Sequence, residues 1–344
     1  MSLLIGMDEA GLGPNLGPFV VATTVWDVPC PPDDFDFWTA FDTVLTRTPS
    51  SCDPRLHIAD SKQVFQPHRG IGSLERGVNS ALRLCGVEAS TFDNLCKALS
   101  GPPAPCLGER VKTLSAGRFL FDDAELSAAR SPTETARTRD DDEPLPWYDG
   151  DGLALPVESA DITMVEPWQR ACERLGVKLV AIRADVVEPP RFNRLVRRYD
   201  NKAQATSRLA MNLLRSVWQP DEDALIVADK HGGRNRYDTL LSDAFGLPVE
   251  CLTEGANQSL YRVGRGELRF QPRAEIHGPV ALASMTAKYL RELAMHQFNR
   301  FWQDRIPGLK PTQGYPVDAK RFRDEIAREH HRLQIPDDCL WRAR

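Results

Sequence analysis

Two adjacent carboxylates, Asp8 and Glu9, stand where the apolar run Leu3-Leu4-Ile5-Gly6-Met7 ends, and Ala10-Gly11-Leu12-Gly13-Pro14 and Gly17-Pro18 follow them. Acids beside the buried end of a strand are costly unless something positive pairs with them. A divalent cation is an efficient partner, because Mg²⁺ takes a few carboxylate oxygens and keeps waters. The glycines let the backbone pass close to a ligand. On its own an Asp-Glu pair is ordinarily a solvated turn after a strand; the two Gly-Pro steps behind this one argue for a site. A dinucleotide loop is the competing reading of the glycines. An acid pair ahead of them repels a pyrophosphate, and the third glycine is misplaced for G-x-G-x-x-G.

Further chemistry-bearing residues recur downstream: Asp60-Ser61-Lys62, Ala184-Asp185-Val186-Val187, Arg191-Phe192-Asn193, and Asp229 closing the apolar run Ala224 to Ala228. Then come Ala283-Ser284-Met285-Thr286-Ala287-Lys288-Tyr289-Leu290-Arg291-Glu292 and Gln313-Gly314-Tyr315-Pro316. In a helix, Ser284, Lys288 and Glu292 are spaced four apart and share one face, separate from the apolar one.

These segments, in this order and over the larger part of the chain, resemble ribonuclease HII and its relative ribonuclease HIII. The match begins with the opening Asp-Glu-Ala-Gly-x-Gly and Gly-Pro between two strands. The resemblance implies an α/β ribonuclease H-like fold, a mixed central β-sheet flanked by helices. The chain reads as a single domain over 1–344, with a family-atypical insertion over about 91–168, partly mobile and acidic, and a C-terminal helical part over 279–344. The resemblance implies four acids around two divalent ions, Mg²⁺ or Mn²⁺, carried over as Asp8, Glu9, Asp229 and Glu292. Glu stands at the fourth position as in ribonuclease HIII, where ribonuclease HII has Asp. Gly11, Leu12, Gly13, Lys62, Ser284, Lys288 and Tyr315 are the implied substrate-binding residues. Lys62 and Lys288 would serve phosphate oxygens and Tyr315 would pack on a sugar.

The implied activity is hydrolysis of the RNA strand of RNA–DNA hybrids, or of ribonucleotide-containing DNA, leaving a 5′-phosphate and a 3′-hydroxyl. The family's Gly-Arg-Gly is Gly11-Leu12-Gly13 here, so backbone contacts to a 2′-hydroxyl are kept and the arginine is lost. Lys230 follows the third acid where the family has Gly. These departures keep two alternatives open: a catalytically drifted nucleic-acid-binding member of the fold, or a nuclease acting on DNA junctions.

The elements that must position these residues are legible in part. Leu3 to about Trp26 reads as two strands around a Gly- and Pro-rich turn. Arg69–Leu84 has helical spacing, and Val177–Val187 reads as a strand. Ser207–Trp218 reads as a helix with Ser207 as a candidate cap. Ala224–Ala228 is the pattern of a buried strand. Ser259–Phe270 is a hairpin around Gly264-Arg265-Gly266. Pro279–Trp302 is a long helix with Pro279 in its first turn and Leu282, Tyr289, Leu290, Leu293, Phe298 and Phe301 in its buried stripe. The middle, with Gly101-Pro102-Pro103-Ala104-Pro105 and the acidic run Asp140 to Glu143, has no clear period.

Bulk properties bound the rest. The chain has 344 residues, 42% hydrophobic and 26% charged, and no apolar run of membrane-spanning length. The eight cysteines show neither C-x-x-C nor zinc-finger spacing and are expected to be reduced. No signal-type run opens the chain, so a cytoplasmic protein is expected; a monomer is expected as well. A net charge of −5 argues against a general nucleic-acid coat protein but not against a local basic groove. Arg191, Arg194, Arg197, Arg198 and Lys202, or Arg234 and Arg236, would line such a groove or form a solvated face. His231, His277 and His296 read as structural or surface residues.

Overall fold

The computed structural model describes residues 2–100, 145–150 and 152–343. Strands β1 (Ser2–Ala10), β2 (Phe19–Val28), β3 (Leu45–Thr46) and β4 (Leu56–His57) come first in the chain. They are followed by β5 (Lys178–Val187), β6 (Ala224–Asp229), β7 (Val249–Glu254), β8 (Ser259–Val263) and β9 (Gly266–Gln271). The helices are α1 (Phe37–Ala40), α2 (Ser61–Val64), α3 (Gly72–Leu84), α4 (Phe92–Ser100), α5 (Val165–Leu175) and α6 (Pro189–Tyr199). Then come α7 (Lys202–Arg215), α8 (Asp238–Phe245), α9 (Gly278–Gln303), α10 (Pro316–Leu333) and α11 (Asp337–Leu340).

Seven strands form one mixed sheet in the order β5-β2-β1-β6-β9-β8-β7. β2 runs antiparallel to both β1 and β5, while β1, β6 and β9 run parallel. The mixed sheet flanked by helices is the architecture expected from the sequence. Side chains alternate across each strand, and the two resulting apolar layers are separate. Leu4, Val20, Ala22 and Val227 pack with α3, α4, α5 and α9 on one face. Ile5, Met7, Val21 and Ile226 pack with α6, α7 and α8 on the other. Both faces of β1, β2 and β6 are therefore covered, which is why these strands read as continuous apolar runs.

The long helix α9 lies directly on β1. A Cβ at Gly6 would sit 2.2 Å from the Pro279 carbonyl carbon, so only glycine allows this approach. Thr24 Oγ1 donates to Pro279 O at 2.8 Å and fixes the start of the helix against β2. Most of α9 is buried on all sides, well beyond the stripe expected from its spacing. β1, β2, α3, α10 and the turn Ala274–Ile276 each cover one side, and a helix so enclosed shows little amphipathic period.

Two expectations change. Ser207 does not cap α7: the helix starts five residues earlier, and Asn201 accepts the Gln204 N–H as its cap. Ser207 is buried in the helix, with its Oγ 3.1 Å from His231 Nδ1. The flanks of the expected insertion are integral to the fold. Phe92, Leu95 and Leu99 of α4 are buried, and Trp147 packs edge-on against Phe298 at 5.0 Å. The acidic run Asp140 to Glu143 and the Gly101–Pro105 segment lie outside the described residues. Among the described helices none is long and apolar enough to cross a membrane.

Candidate metal centre and nucleic-acid groove

The register of the sheet creates the site. Met7 pairs with Ala228 across the parallel β1–β6 ladder, so Asp8 and Asp229 are the next residues along neighbouring strands. Both follow the alternation of Leu4 and Val227 and point to the face that carries α9. Glu275 reaches the same place from the short turn Ala274–Ile276, between β9 and α9. One carboxylate oxygen from each of Asp8, Asp229 and Glu275 lies within 4.8 Å of the others.

The sequence reading missed Glu275. The signal was an acid in the turn between a hairpin and a Pro-initiated helix, next to the strand ends. Glu292, assigned to the metal in its place, does not join the three carboxylates. It lies two turns beyond Ser284, about 12 Å along the helix axis. It accepts from Lys288 Nζ at 2.7 Å and sits 3.6 Å from Arg291 Nη1. Glu9 follows Met7 in the alternation and leaves β1 on the face opposite Asp8, yet it still feels the charges of Asp8, Asp229 and Glu275.

Burial and mutual repulsion shape the electrostatics. Asp8 is 5% exposed. Burial, opposed by a hydrogen bond from Ser284 and reinforced by the Glu275 and Asp229 charges, pushes its pKa up to about 7. Burial, then the Asp8 and Asp229 charges, hold Glu9 well above the usual carboxylate range. Burial also raises Asp229, against the Lys230 backbone N–H, which donates to Asp229 Oδ1 at 2.9 Å. Glu275 is raised by burial and by the Asp60 and Asp229 charges. Buried oxygen donors that resist ionising for want of a cation fit a hard divalent ion.

Lys62 is the nearby positive group. Asp60 caps the short helix α2 by accepting the Lys62 backbone N–H. Burial lowers the Lys62 ammonium pKa, but Asp60, Glu275, Asp8 and Asp229 outweigh it and raise it overall. Ser284 links the Asp8 carboxylate to Ser61 Oγ, 3.1 Å away. Lys288 lies over the Phe65 ring at 4.6 Å while held by Glu292.

The glycine loop after β1 forms the adjoining wall. Gly11 has φ +88°, and a Cβ there would meet Arg291 Nε at 2.7 Å. The loop is stitched to the second motif: Asn15 N–H donates to Gly314 O at 2.7 Å, and Arg291 Nη2 donates to Gln313 O at 2.9 Å. Tyr315 is 52% exposed and lies beside Gly13, 3.8 Å from where a Cβ would stand. Leu12 packs against the apolar layer of α6 and α7.

Lys230 turns away from the carboxylates. Its Nζ donates to Asn235 Oδ1 at 2.6 Å and to Ser259 Oγ at 3.2 Å, tying the loop after β6 to β8. His231 is buried beneath it and held well below the usual imidazole range by burial, so it is a structural residue. Among the basic residues ahead of α7, Arg191 is committed to Asp185 by bonds of 2.7 and 3.0 Å.

The mixed sheet carries its acids at the ends of β1 and β6. No family model and no curated protein matches the sequence. Solved structures similar to the chain include the ribonuclease H2 of Pyrococcus horikoshii OT3, 12% identical, with 98% of this chain and 92% of that one covered at a TM-score of 0.47. The ribonuclease HII of Archaeoglobus fulgidus, solved with PCNA, is 12% identical over 99% and 94% of the two chains, TM-score 0.38. Bst-RNase HIII in complex with Mn²⁺ is 14% identical over 99% and 66%, TM-score 0.38.

Proposed function

We propose that this protein is a divalent-metal-dependent endonuclease of the ribonuclease H type that hydrolyses the RNA strand of RNA–DNA hybrids. The observation that carries this reading is the gathering of Asp8, Asp229 and Glu275 within 4.8 Å, at the sheet end that also bears the glycine loop. In this reading Asp8, Glu9, Asp229 and Glu275 hold Mg²⁺ or Mn²⁺, and Glu275 takes the place first given to Glu292. Two bound ions would supply an activated water and charge stabilisation for the departing oxygen of an in-line displacement.

The protein's own groups do the rest. Ser284 fixes the Asp8 carboxylate by a hydrogen bond. The Lys230 backbone N–H fixes Asp229, and the Lys62 ammonium offsets part of the acidic charge and faces incoming phosphate. Lys288, held in place by Glu292 and Phe65, offers a second cation to the nucleic-acid backbone. The exposed ring of Tyr315 beside Gly13 offers a stacking surface for a sugar or base. Lys230, which favoured a drifted site when read from sequence, is spent on Asn235 and Ser259 and leaves the carboxylates clear.

The test is incubation of the purified protein with labelled RNA–DNA hybrid, and separately with DNA carrying one ribonucleotide, in Mg²⁺ and in Mn²⁺. Metal-dependent cuts with 5′-phosphate ends, absent in Asp8→Asn, are the expected outcome. Cleavage that persists in Asp8→Asn, or no cleavage of either substrate by folded protein, would sink the reading.

A further inference from the structure

The glycine loop is held from beneath by the far end of the chain. Arg342 is fully buried. Its Nη2 donates to both Gly11 O and Pro14 O, and its backbone N–H donates to Asn15 O at 2.9 Å. Leu16 forms an antiparallel bridge with Trp341. On its other side the segment is clamped by Asn193 of α6. Asn193 Nδ2 donates to Trp341 O at 2.8 Å, and its Oδ1 accepts the Ala343 N–H at 2.6 Å. The Phe192 ring lies under the guanidinium at 4.9 Å. One guanidinium thus fixes the carbonyl direction at two loop positions, and its neighbours fix the guanidinium.

Carbonyl direction sets amide direction. The peptide unit is planar and trans, so C=O and the next N–H point to opposite sides. With Gly11 O turned inward onto Arg342, the Leu12 N–H is turned to the side away from the buried arginine. The open backbone at Gly11, with φ +88°, is what permits this peptide orientation.

We propose that Arg342 is a positioning residue. It locks the Gly11–Leu12 peptide so that the Leu12 N–H is presented to the nucleic acid, and through that amide it sets the preference for a ribose over a deoxyribose at the site. The inference rests on the reading of the site as a hybrid nuclease, and it concerns recognition rather than metal chemistry. A buried arginine thereby replaces side-chain contact by backbone presentation in a loop whose own middle residue, Leu12, has no polar group.

The experiment uses the full chain with Arg342→Met and Arg342→Lys. Binding is read by fluorescence anisotropy with Ca²⁺ in place of Mg²⁺. The probes are one duplex carrying a single ribonucleotide and its all-DNA counterpart. Hydrogen exchange of the 11–16 segment and Mn²⁺ affinity are measured alongside. For Arg342→Met the expected result is faster exchange in that segment, a preference for the ribonucleotide duplex reduced by roughly five- to tenfold, and Mn²⁺ affinity unchanged within about twofold. Arg342→Lys, which keeps a cation and a donor, should fall between the two.

Unchanged preference in folded Arg342→Met overturns the proposal. So does equal weakening toward both duplexes and Mn²⁺, which is the signature of a merely structural role, and so does failure of both variants to fold. A wild-type protein that binds the two duplexes equally overturns it as well. A wild type that prefers the ribonucleotide duplex but cuts nothing in Mg²⁺ or Mn²⁺ would instead sink the nuclease reading. The role of Arg342 would then still be decided by the binding ratios.

Discussion

At the residue scale the centre is a balance of negative charge without a matching cation. Asp8, Asp229 and Glu275 offer oxygens within 4.8 Å, whereas Glu292 is already paired with Lys288 at 2.7 Å. Glu275→Gln is therefore expected to weaken Mn²⁺ binding by roughly a hundredfold or more and to abolish cleavage. Glu292→Gln should leave Mn²⁺ affinity within about threefold of wild type. Calorimetric titration of both variants separates these outcomes, and a reversed order would return the fourth ligand to Glu292. The pH dependence follows from Asp8. Its pKa is about 7 in the folded, metal-free protein against an ordinary aspartate value of 3.8. Between those values the folded state holds the extra proton, so stability falls as pH rises from about 4 to about 7. Urea midpoints of metal-free protein should decline over that interval, and Asp8→Asn should flatten the decline. Because the ligands must ionise to bind, Mn²⁺ affinity should rise across the same window.

At the element scale, the site depends on α9 lying tightly on β1. Ser284 reaches Asp8 only because Gly6 lets the start of the helix touch the strand, with Pro279 and Val280 backbone atoms 2.2 to 2.3 Å from where a Cβ would be. Those atoms belong to the backbone and cannot swing aside. Gly6→Ala is expected to cost about 3 kcal/mol or more, measured as the shift of the urea unfolding midpoint. Its surviving folded fraction should show weakened metal binding, since the helix would ride away from Asp8. The alternation of β1 explains why the adjacent acids play different parts. Asp8 faces α9 with Asp229 and Glu275, and Glu9 emerges on the side of α6 and α7. A motif read as one pair is, in the sheet, two acids on opposite faces of a strand end.

At the scale of the whole molecule, three distant parts of the chain converge on one sheet end: the β1 loop, the turn before α9 and the C-terminal segment. The acids of β1, β6 and that turn repel one another in the metal-free state, so a bound ion would stabilise the fold by mass action. Mn²⁺ at a hundred times its dissociation constant should add about 2.7 kcal/mol. Differential scanning calorimetry should show a raised Tm in wild type and almost no change in Asp8→Asn. An equal shift in both proteins would place the bound ion elsewhere.

Local pattern alone determined a good deal. The apolar run ending in Asp8-Glu9, the glycines behind it, the strand before Asp229 and the long helix after Pro279 are all legible because strand and helix periods and turn residues act over a few positions. The oxygen-rich chemistry and the mixed α/β architecture followed from them. Tertiary structure alone decided which acid joins Asp8 and Asp229, because Glu275 and Glu292 look alike in sequence and differ only in where the turn and the helix place them. Packing likewise decided that Lys230 braces a hairpin and that α7 begins at Lys202, capped by Asn201, rather than at Ser207. The brace on Gly11 comes from Arg342, 331 residues away. No local rule reaches that far: a hydrogen bond between such positions exists only once the sheet and helices have brought both ends of the chain to the same place.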